Sequence, residues 1–150
     1  MIHLLEYIWL DAKGNCRSKT KVANLSSKLS NINELPEWNY DGSSTGQAET
    51  GSSEVVLKPV KYVPDPFRTS EEAYLVLCET YDPDGNPLPS NTRSSAVKIF
   101  NMDTPQKEPM FGLEQEFFIS RKTVNQLVPV SFPDNASVPS PQGEFYCGAG

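Results

Sequence analysis

Apolar residues gather along the chain in short stretches that have the character of strands. Leu4 to Asp11 (Leu-Leu-Glu-Tyr-Ile-Trp-Leu-Asp) is rich in aromatic and branched side chains. Lys13-Gly14-Asn15 then supplies a turn before Cys16 to Ala23, so the two stretches predict a β-hairpin. Glu54 to Val63 alternates well enough to be a further strand, and Ala73 to Tyr81 (Ala-Tyr-Leu-Val-Leu-Cys-Glu-Thr-Tyr) reads as a buried one. Between them, Asn24 to Glu34 is polar with scattered Leu and Ile and predicts a surface connection, and Pro36 bars a helix at its end. Pro83, Gly85, Pro87 and Pro89 make 82–90 an extended loop. Ser94 to Met102 spaces Ala96, Val97, Ile99 and Phe100 in near-helical fashion, with Ser94 or Ser95 as the expected cap. Pro105 and Pro109 break the chain again, and 121–141 reads as irregular. The pattern predicts a small β-rich domain over 1–95 and the opening of a second over 96–150, without internal repeats.

The chemistry concentrates in Phe111 to Ile119 (Phe-Gly-Leu-Glu-Gln-Glu-Phe-Phe-Ile). In a strand, Glu114 and Glu116 would share one face about 7 Å apart, with Leu113, Gln115 and Phe117 on the other. Two like charges on one face repel unless cations neutralise them, and paired carboxylates are the usual oxygen ligands of Mg²⁺. An isolated Glu-x-Glu is more often a solvated strand face. Here the surrounding Phe111, Leu113, Phe117, Phe118 and Ile119 predict a buried strand, and carboxylates carried into a core need partners or metal.

Charge narrows the choice of partner. A net charge of −6, with no basic stripe, argues against nucleic acid and anionic membranes. Cys16, Cys78 and Cys147 form no Cys-x-x-Cys pair and have one distant histidine, His3, which disfavours a disulfide scaffold or a zinc site and fits a reducing cytosol. The apolar start, Met1 to Leu10, has no basic leader and contains Glu6, so it resembles neither a signal peptide nor a transmembrane span. A soluble, cytoplasmic protein is expected.

A second informative stretch is Leu35 to Gln47, in which two aromatics lead into Asp41-Gly42-Ser43-Ser44-Thr45-Gly46. Glycines remove bulk and the hydroxyls offer hydrogen bonds, so such a loop can approach a ligand closely. It lacks the closing Lys-Ser/Thr of a P-loop and the three-glycine dinucleotide fingerprint. Taken alone, Asp-Gly followed by Ser and Thr is more often only a turn.

Five motifs in order carry a family resemblance. Leu-Pro-Glu-Trp-Asn-Tyr-Asp-Gly-Ser-Ser-Thr-Gly-Gln-Ala (35–48), Asp-Pro-Phe-Arg (65–68), Asn-Thr-Arg (91–93), Phe-Gly-Leu-Glu-Gln-Glu (111–116) and Pro-Gln-Gly-x-Phe-Tyr-Cys-Gly (141–148) resemble the N-terminal part of a eukaryotic-type glutamine synthetase. The resemblance runs from about Glu6 to Gly150. It implies an α+β protein, with a β-grasp-like N-terminal domain followed by the opening strand segment of a catalytic domain. The implied activity is ATP-dependent ligation of ammonia to glutamate through γ-glutamyl phosphate, supported by Mg²⁺ or Mn²⁺.

The resemblance also implies residue roles. Glu114 matches a ligand of the metal nearer the ATP phosphates, and so belongs to the nucleotide site as well, while Glu116 matches a ligand of the metal on the glutamate and ammonia side. Asp41 matches the acid that binds ammonium and takes its proton, acting across a subunit boundary. Ser44 matches a hydroxyl of that pocket, and Tyr146 a tyrosine lining it from the catalytic domain. Trp38 falls to a subunit contact or to inner packing. A homo-oligomer of stacked rings, a decamer, with sites between adjacent subunits is implied.

The family commonly carries a tryptophan where this chain has Met110, which offers no ring to stack on a nucleotide. Residues 122–140 resemble the family less and receive no role. The family's chain is much longer, so this chain alone is expected to be inactive, lacking the remaining metal ligands. The alternative reading is a non-catalytic module used in subunit or protein interaction.

Overall fold

A computed structural model describes residues 1–25, 27–68, 72–102, 107–117, 119–124 and 127–129. The chain divides into two compact units, Met1–Pro109 and Met110–Gly150.

The first unit is a five-stranded mixed sheet. Its strands are β1 (Ile2–Leu10), β2 (Cys16–Asn24), β3 (Trp38–Asp41), β4 (Glu54–Pro64) and β5 (Ala73–Tyr81), in the spatial order β2-β1-β5-β4-β3. β1 is antiparallel to β2 and parallel to β5, and β4 is antiparallel to both β5 and β3. The four strands read from sequence are present within a residue or two of their expected bounds. β3 is an addition, because its four residues between Pro36 and Gly42 read as part of a loop.

Period-two alternation decides which side is core. On β1, His3, Leu5, Tyr7 and Trp9 are buried while the intervening residues are half-buried or exposed. Leu5, Tyr7 and Trp9 join Leu57, Tyr74, Val76 and Cys78 in one cluster. Leu29 and Leu35 enter the same cluster, with Leu25 and Ile32 packed on it. The stretch expected as a surface connection therefore covers the inner face of the sheet, since its scattered leucines find apolar area there to bury. The short 3₁₀ turn Ile32–Glu34 is capped by the Asn31 side chain and lays Ile32, partly buried, against the cluster. Tyr7 completes the cover by donating its hydroxyl to the Pro36 carbonyl at 2.6 Å.

The sheet curls until its opposite edges meet. Lys19 of β2 donates from Nζ to the Asn39 carbonyl of β3 at 2.8 Å, and Nζ lies 3.6 Å from the centroid of the Trp38 ring. Lys21, two residues on, stands 4.7 Å from the same ring. Trp38 meets Tyr7 edge-on beneath them, with centroids 5.5 Å apart. A register shift between Pro59 and Lys61 bends β4, at residues beyond the span paired with β3.

Helix α1 (Thr92–Phe100) follows the Pro-rich loop. Its cap is Asn91, whose side chain accepts from the Ser94 amide at 3.2 Å and donates to the Thr80 carbonyl at 3.1 Å. Neither Ser94 nor Ser95 caps it, because both already lie inside the helix. Arg93 ties the first turn to Glu79 of β5 at 2.6 Å.

In the second unit, β6 (Ser120–Lys122) and β7 (Leu127–Pro129) form a small antiparallel hairpin within the stretch expected to be irregular. The strand expected over Phe111–Ile119 is not formed among the described residues. Leu113 is 97% and Phe117 75% exposed. Strand composition expresses a fit to a half-buried pleated surface, and none of the described strands takes 111–117 as a neighbour in a sheet. Among the described residues, no helix is long and apolar enough to cross a membrane.

The β1–β2 turn makes a pH-dependent contribution to stability. Buried Asp11 accepts from the Asn15 amide (2.9 Å), the Lys13 amide (2.8 Å) and Arg17 Nε (2.9 Å). The Asn15 backbone hydrogen bond leads in holding its carboxyl down to about 2 from 3.8, outweighing the opposing effect of burial. A depressed folded value means that stability is fully present above the unfolded value and drains away as pH falls from 3.8 toward about 2. Urea denaturation across that window is expected to show a falling midpoint in the parent. In Asp11→Asn the midpoint should be lower at neutral pH and the slope through the window flatter.

Candidate functional site

The Asp41 loop grows out of the end of β3. Asp41 has extended backbone (φ −77°, ψ 105°) and caps the 3₁₀ turn Gly42–Thr45, its Oδ1 accepting from the Ser43 amide at 2.9 Å and the Ser43 hydroxyl at 2.6 Å. The Ser43 hydroxyl is the foremost cause that lowers the Asp41 carboxyl below its usual range, followed by the Ser43 amide, so the exposed side chain is an anion at neutral pH. Ser44 is exposed and turns its hydroxyl back to the Asp41 carbonyl at 3.2 Å. Gly46 closes the turn in the left-handed region (φ 71°), where glycine carries no steric penalty.

The backbone of the loop is tied to its surroundings. The Gly42 amide donates to the Ser53 carbonyl at 2.7 Å, and the Gly42 carbonyl accepts from Gln47 and Ala48 at 2.9 and 3.2 Å. The Ala12 amide reaches the Thr45 carbonyl at 3.2 Å, linking the loop to the β1–β2 turn. Just before Asp41, Tyr40 lies tilted on Trp9 with ring centroids 4.4 Å apart and donates its hydroxyl to Gln47 Oε1 at 2.5 Å. Burial pushes the Tyr40 hydroxyl up to about 12, so it keeps the proton it donates. Gln47 Nε2 donates to the Leu10 carbonyl at 3.0 Å and to Ser90 Oγ at 2.8 Å. Sequence reasoning passed over Tyr40 and Ser90, and gave Gln47 no role although it stands in the motif; only three-dimensional proximity joins them.

The other expected site residues are distributed as follows. Glu114 and Glu116 lie in the second unit, exposed and outside any strand, so the shared strand face expected of them is not formed. Tyr146 lies outside the described residues. The described residues contain no group of three or more His, Cys, Asp or Glu side chains arranged to hold a metal. Glu114 and Glu116 nevertheless present the hard carboxylate oxygens that suit Mg²⁺, an ion that takes one or two protein carboxylates and fills its octahedron with water and phosphate oxygens. Outside the site, His3 is wholly buried, with Nδ1 3.0 Å from the Met1 carbonyl and Nε2 2.9 Å from Glu72. The buried Cys78 thiol is pushed up to about 12 by desolvation, which makes it inert.

Comparison with known proteins adds an independent observation. Residues 1–83 match the family model described as the β-grasp domain of glutamine synthetase. The chain is 45% identical over 148 residues to a cytosolic isozyme of glutamine synthetase from Daucus carota, and 46% identical over 149 residues to glutamine synthetase PR-1 of Phaseolus vulgaris. Each match covers 98% of this chain and 40% of the relative, so the chain spans well under half the length of these curated proteins. A nodule isozyme of Lupinus angustifolius is 43% identical, with 45% of its length covered.

The local packing makes a sharp demand on Gly42. A Cβ there would stand 2.5 Å from Val55 Cγ2 and 3.1 Å from Ala48 Cβ, and Val55 is fully buried. Gly42→Ala is therefore expected to destabilise the chain. Trimming Val55 to Ala in the same molecule should return part of the loss, giving a favourable coupling of about 0.5–3 kcal/mol in a double-mutant cycle read by urea denaturation. Purely additive effects would show that the loop backs away from β4 without strain.

Proposed function

Because the chain belongs to the glutamine synthetase family, we propose that it supplies the β-grasp domain, over 1–95, and from residue 96 the start of the catalytic domain, of a glutamate–ammonia ligase. The single observation that carries this reading is the β-grasp match over 1–83, with the anionic Asp41 presented at the end of β3.

The proposed reaction has two steps. The γ-carboxylate of glutamate attacks the terminal phosphorus of ATP, releasing ADP and leaving γ-glutamyl phosphate. Ammonia then attacks the acyl carbon, and phosphate leaves as glutamine forms. Ammonium must lose a proton before its nitrogen can attack, and a positioned carboxylate both attracts the cation and accepts that proton. Asp41 takes this role, with Ser44 beside it and Tyr146 completing the pocket. The lowered acidity range of Asp41 supports the assignment, since the side chain is charged when ammonium arrives. Glu114 and Glu116 would hold Mg²⁺ or Mn²⁺, Glu114 on the nucleotide side and Glu116 on the glutamate side. When bound, the metal neutralises charge on the phosphate oxygens.

Assembly into rings, with Asp41 serving the neighbouring subunit, follows from the same reading. Its support is the outer face of the sheet, where Val22, Val63 and Leu77 remain exposed beside the half-buried Leu4, Ile8 and Leu75 in paired register. A cytosolic location is favoured by the isozyme names of the carrot and Pinus sylvestris relatives.

The test is a chimera in which this chain replaces the aligned segment of the Phaseolus relative. The chimera is expected to make glutamine and to assemble at the mass of its parent. Asp41→Asn in that background should assemble and bind ATP, yet lose ammonia-dependent turnover by at least on the order of a hundredfold. Formation of γ-glutamyl phosphate should survive better. Equal loss of both steps, or loss of neither, removes Asp41 from the ammonium step. An assembled but inactive chimera removes the enzyme reading.

A further inference from the structure

We propose that Gln47 is the positioning residue of the Asp41 loop, its side-chain amide fixing where the Asp41 carboxylate stands and so setting the affinity for ammonium. The inference rests on the reading of Asp41 as the ammonium acid and adds a residue to which that reading gave no task.

The Asp41 carboxylate accepts from the Ser43 amide and hydroxyl, bonds within its own turn that shape it without placing it on the sheet, and Ser53 beside β4 adds a lesser stabilisation of the anion. Placement comes from what holds the two ends of the loop. Gln47 engages both at once. Its Oε1 accepts from Tyr40, the residue immediately before Asp41, and its backbone amide donates to the Gly42 carbonyl, immediately after. Its Nε2 donates to the Leu10 carbonyl at the end of β1 and to Ser90 Oγ in the loop leading into α1.

Hydrogen-bond chemistry leaves one orientation for this amide. A backbone carbonyl only accepts, so the atom 3.0 Å from the Leu10 oxygen must be the nitrogen. Both of its hydrogens are then used, and the oxygen is left for the Tyr40 hydroxyl. The contacts close a ring: Trp9 and Leu10 are consecutive on β1, Leu10 accepts from Gln47, Gln47 accepts from Tyr40, and Tyr40 packs on Trp9. A closed ring of this kind holds position better than the same bonds in an open chain, because no member can swing without breaking two contacts. The half-buried setting of Gln47 keeps water from replacing them freely.

Two measurements separate this proposal from the function it rests on. The first uses the 150-residue chain alone. Gln47→Glu keeps the size and the acceptor for Tyr40 but loses both donors and places a carboxylate against the Leu10 carbonyl. Amide exchange at Ala12, which bonds to Thr45, and at Gln47 and Ala48, which bond to Gly42, should quicken by about tenfold or more, while Val76 in β5 exchanges as before. Unchanged exchange at all three amides would overturn the proposal. So would exchange that quickens equally at Val76, since that is global destabilisation.

The second measurement uses the chimera. Gln47→Glu and Gln47→Ala should raise KM for ammonium by on the order of tenfold to a hundredfold, leaving KM for ATP unchanged. Ser90→Ala, which removes one of the two acceptors, should fall between them and the parent. An unmoved ammonium KM overturns the positioning role, as does a common rise in every KM. If the unsubstituted chimera makes no glutamine, the enzyme reading fails, and the exchange measurement alone decides whether Gln47 holds the loop.

Discussion

The register of β1 is the constraint from which the rest of the first unit follows. Because side chains alternate, a slip of one residue would send Leu5, Tyr7 and Trp9 outward and bring Leu4, Glu6 and Ile8 in. Glu6 could not follow without losing its pairing to Arg68, which bonds it at 2.6 Å and also holds Asp65 of the turn after β4. With the register fixed, β2 and β5 are set on either side, and the turn at Asp11 begins where β1 ends. The Leu10 carbonyl then faces Gln47, and Trp9 lies under Tyr40. The position of a loop thirty residues away is thus written into the alternation of one strand.

On the ammonium reading, the Asp41 turn divides two tasks that one carboxylate can perform. Hydrogen bonds from Ser43 stabilise the anion, which strengthens attraction for a cation and weakens the group as a base. Such a carboxylate binds ammonium well and stores its proton poorly. The proton must therefore move as the nitrogen attacks, when the acidity of the departing N–H rises sharply. A turn that caps its own carboxylate is suited to holding a reagent that is activated by the step that consumes it.

The sequence disclosed those parts of the structure that depend on local pattern. Ala73 to Tyr81 reads as a strand from composition alone, and Lys13-Gly14-Asn15 marks a turn because Gly14 adopts φ 79°. β3 escaped because four residues flanked by Pro36 and Gly42 carry too little periodicity, and only pairing with β4 makes them a strand. The cap of α1 was misplaced by the serines, since Asn91 competes better when its amide also satisfies the Thr80 carbonyl. Asp41 was legible through its motif. The brace behind it was not, as Leu10, Gln47 and Ser90 are separated by 37 and 43 residues from one another. Phe111 to Ile119 shows the opposite failure, a strand-like composition that forms no strand among the described residues.

The aromatic pairs give the molecule a built-in optical partition. The chain has two tryptophans, Trp9 and Trp38, and both lie in the first unit. Trp9 rests against Tyr40 at one end of the sheet, while Trp38 is enclosed by Tyr7 below and the two lysine ammonium groups above. Tryptophan emission therefore originates wholly within the first unit, from the curled sheet and its loop. A melting curve followed by tryptophan fluorescence is read out by emitters of the first unit, whereas far-ultraviolet dichroism sums over the backbone of both.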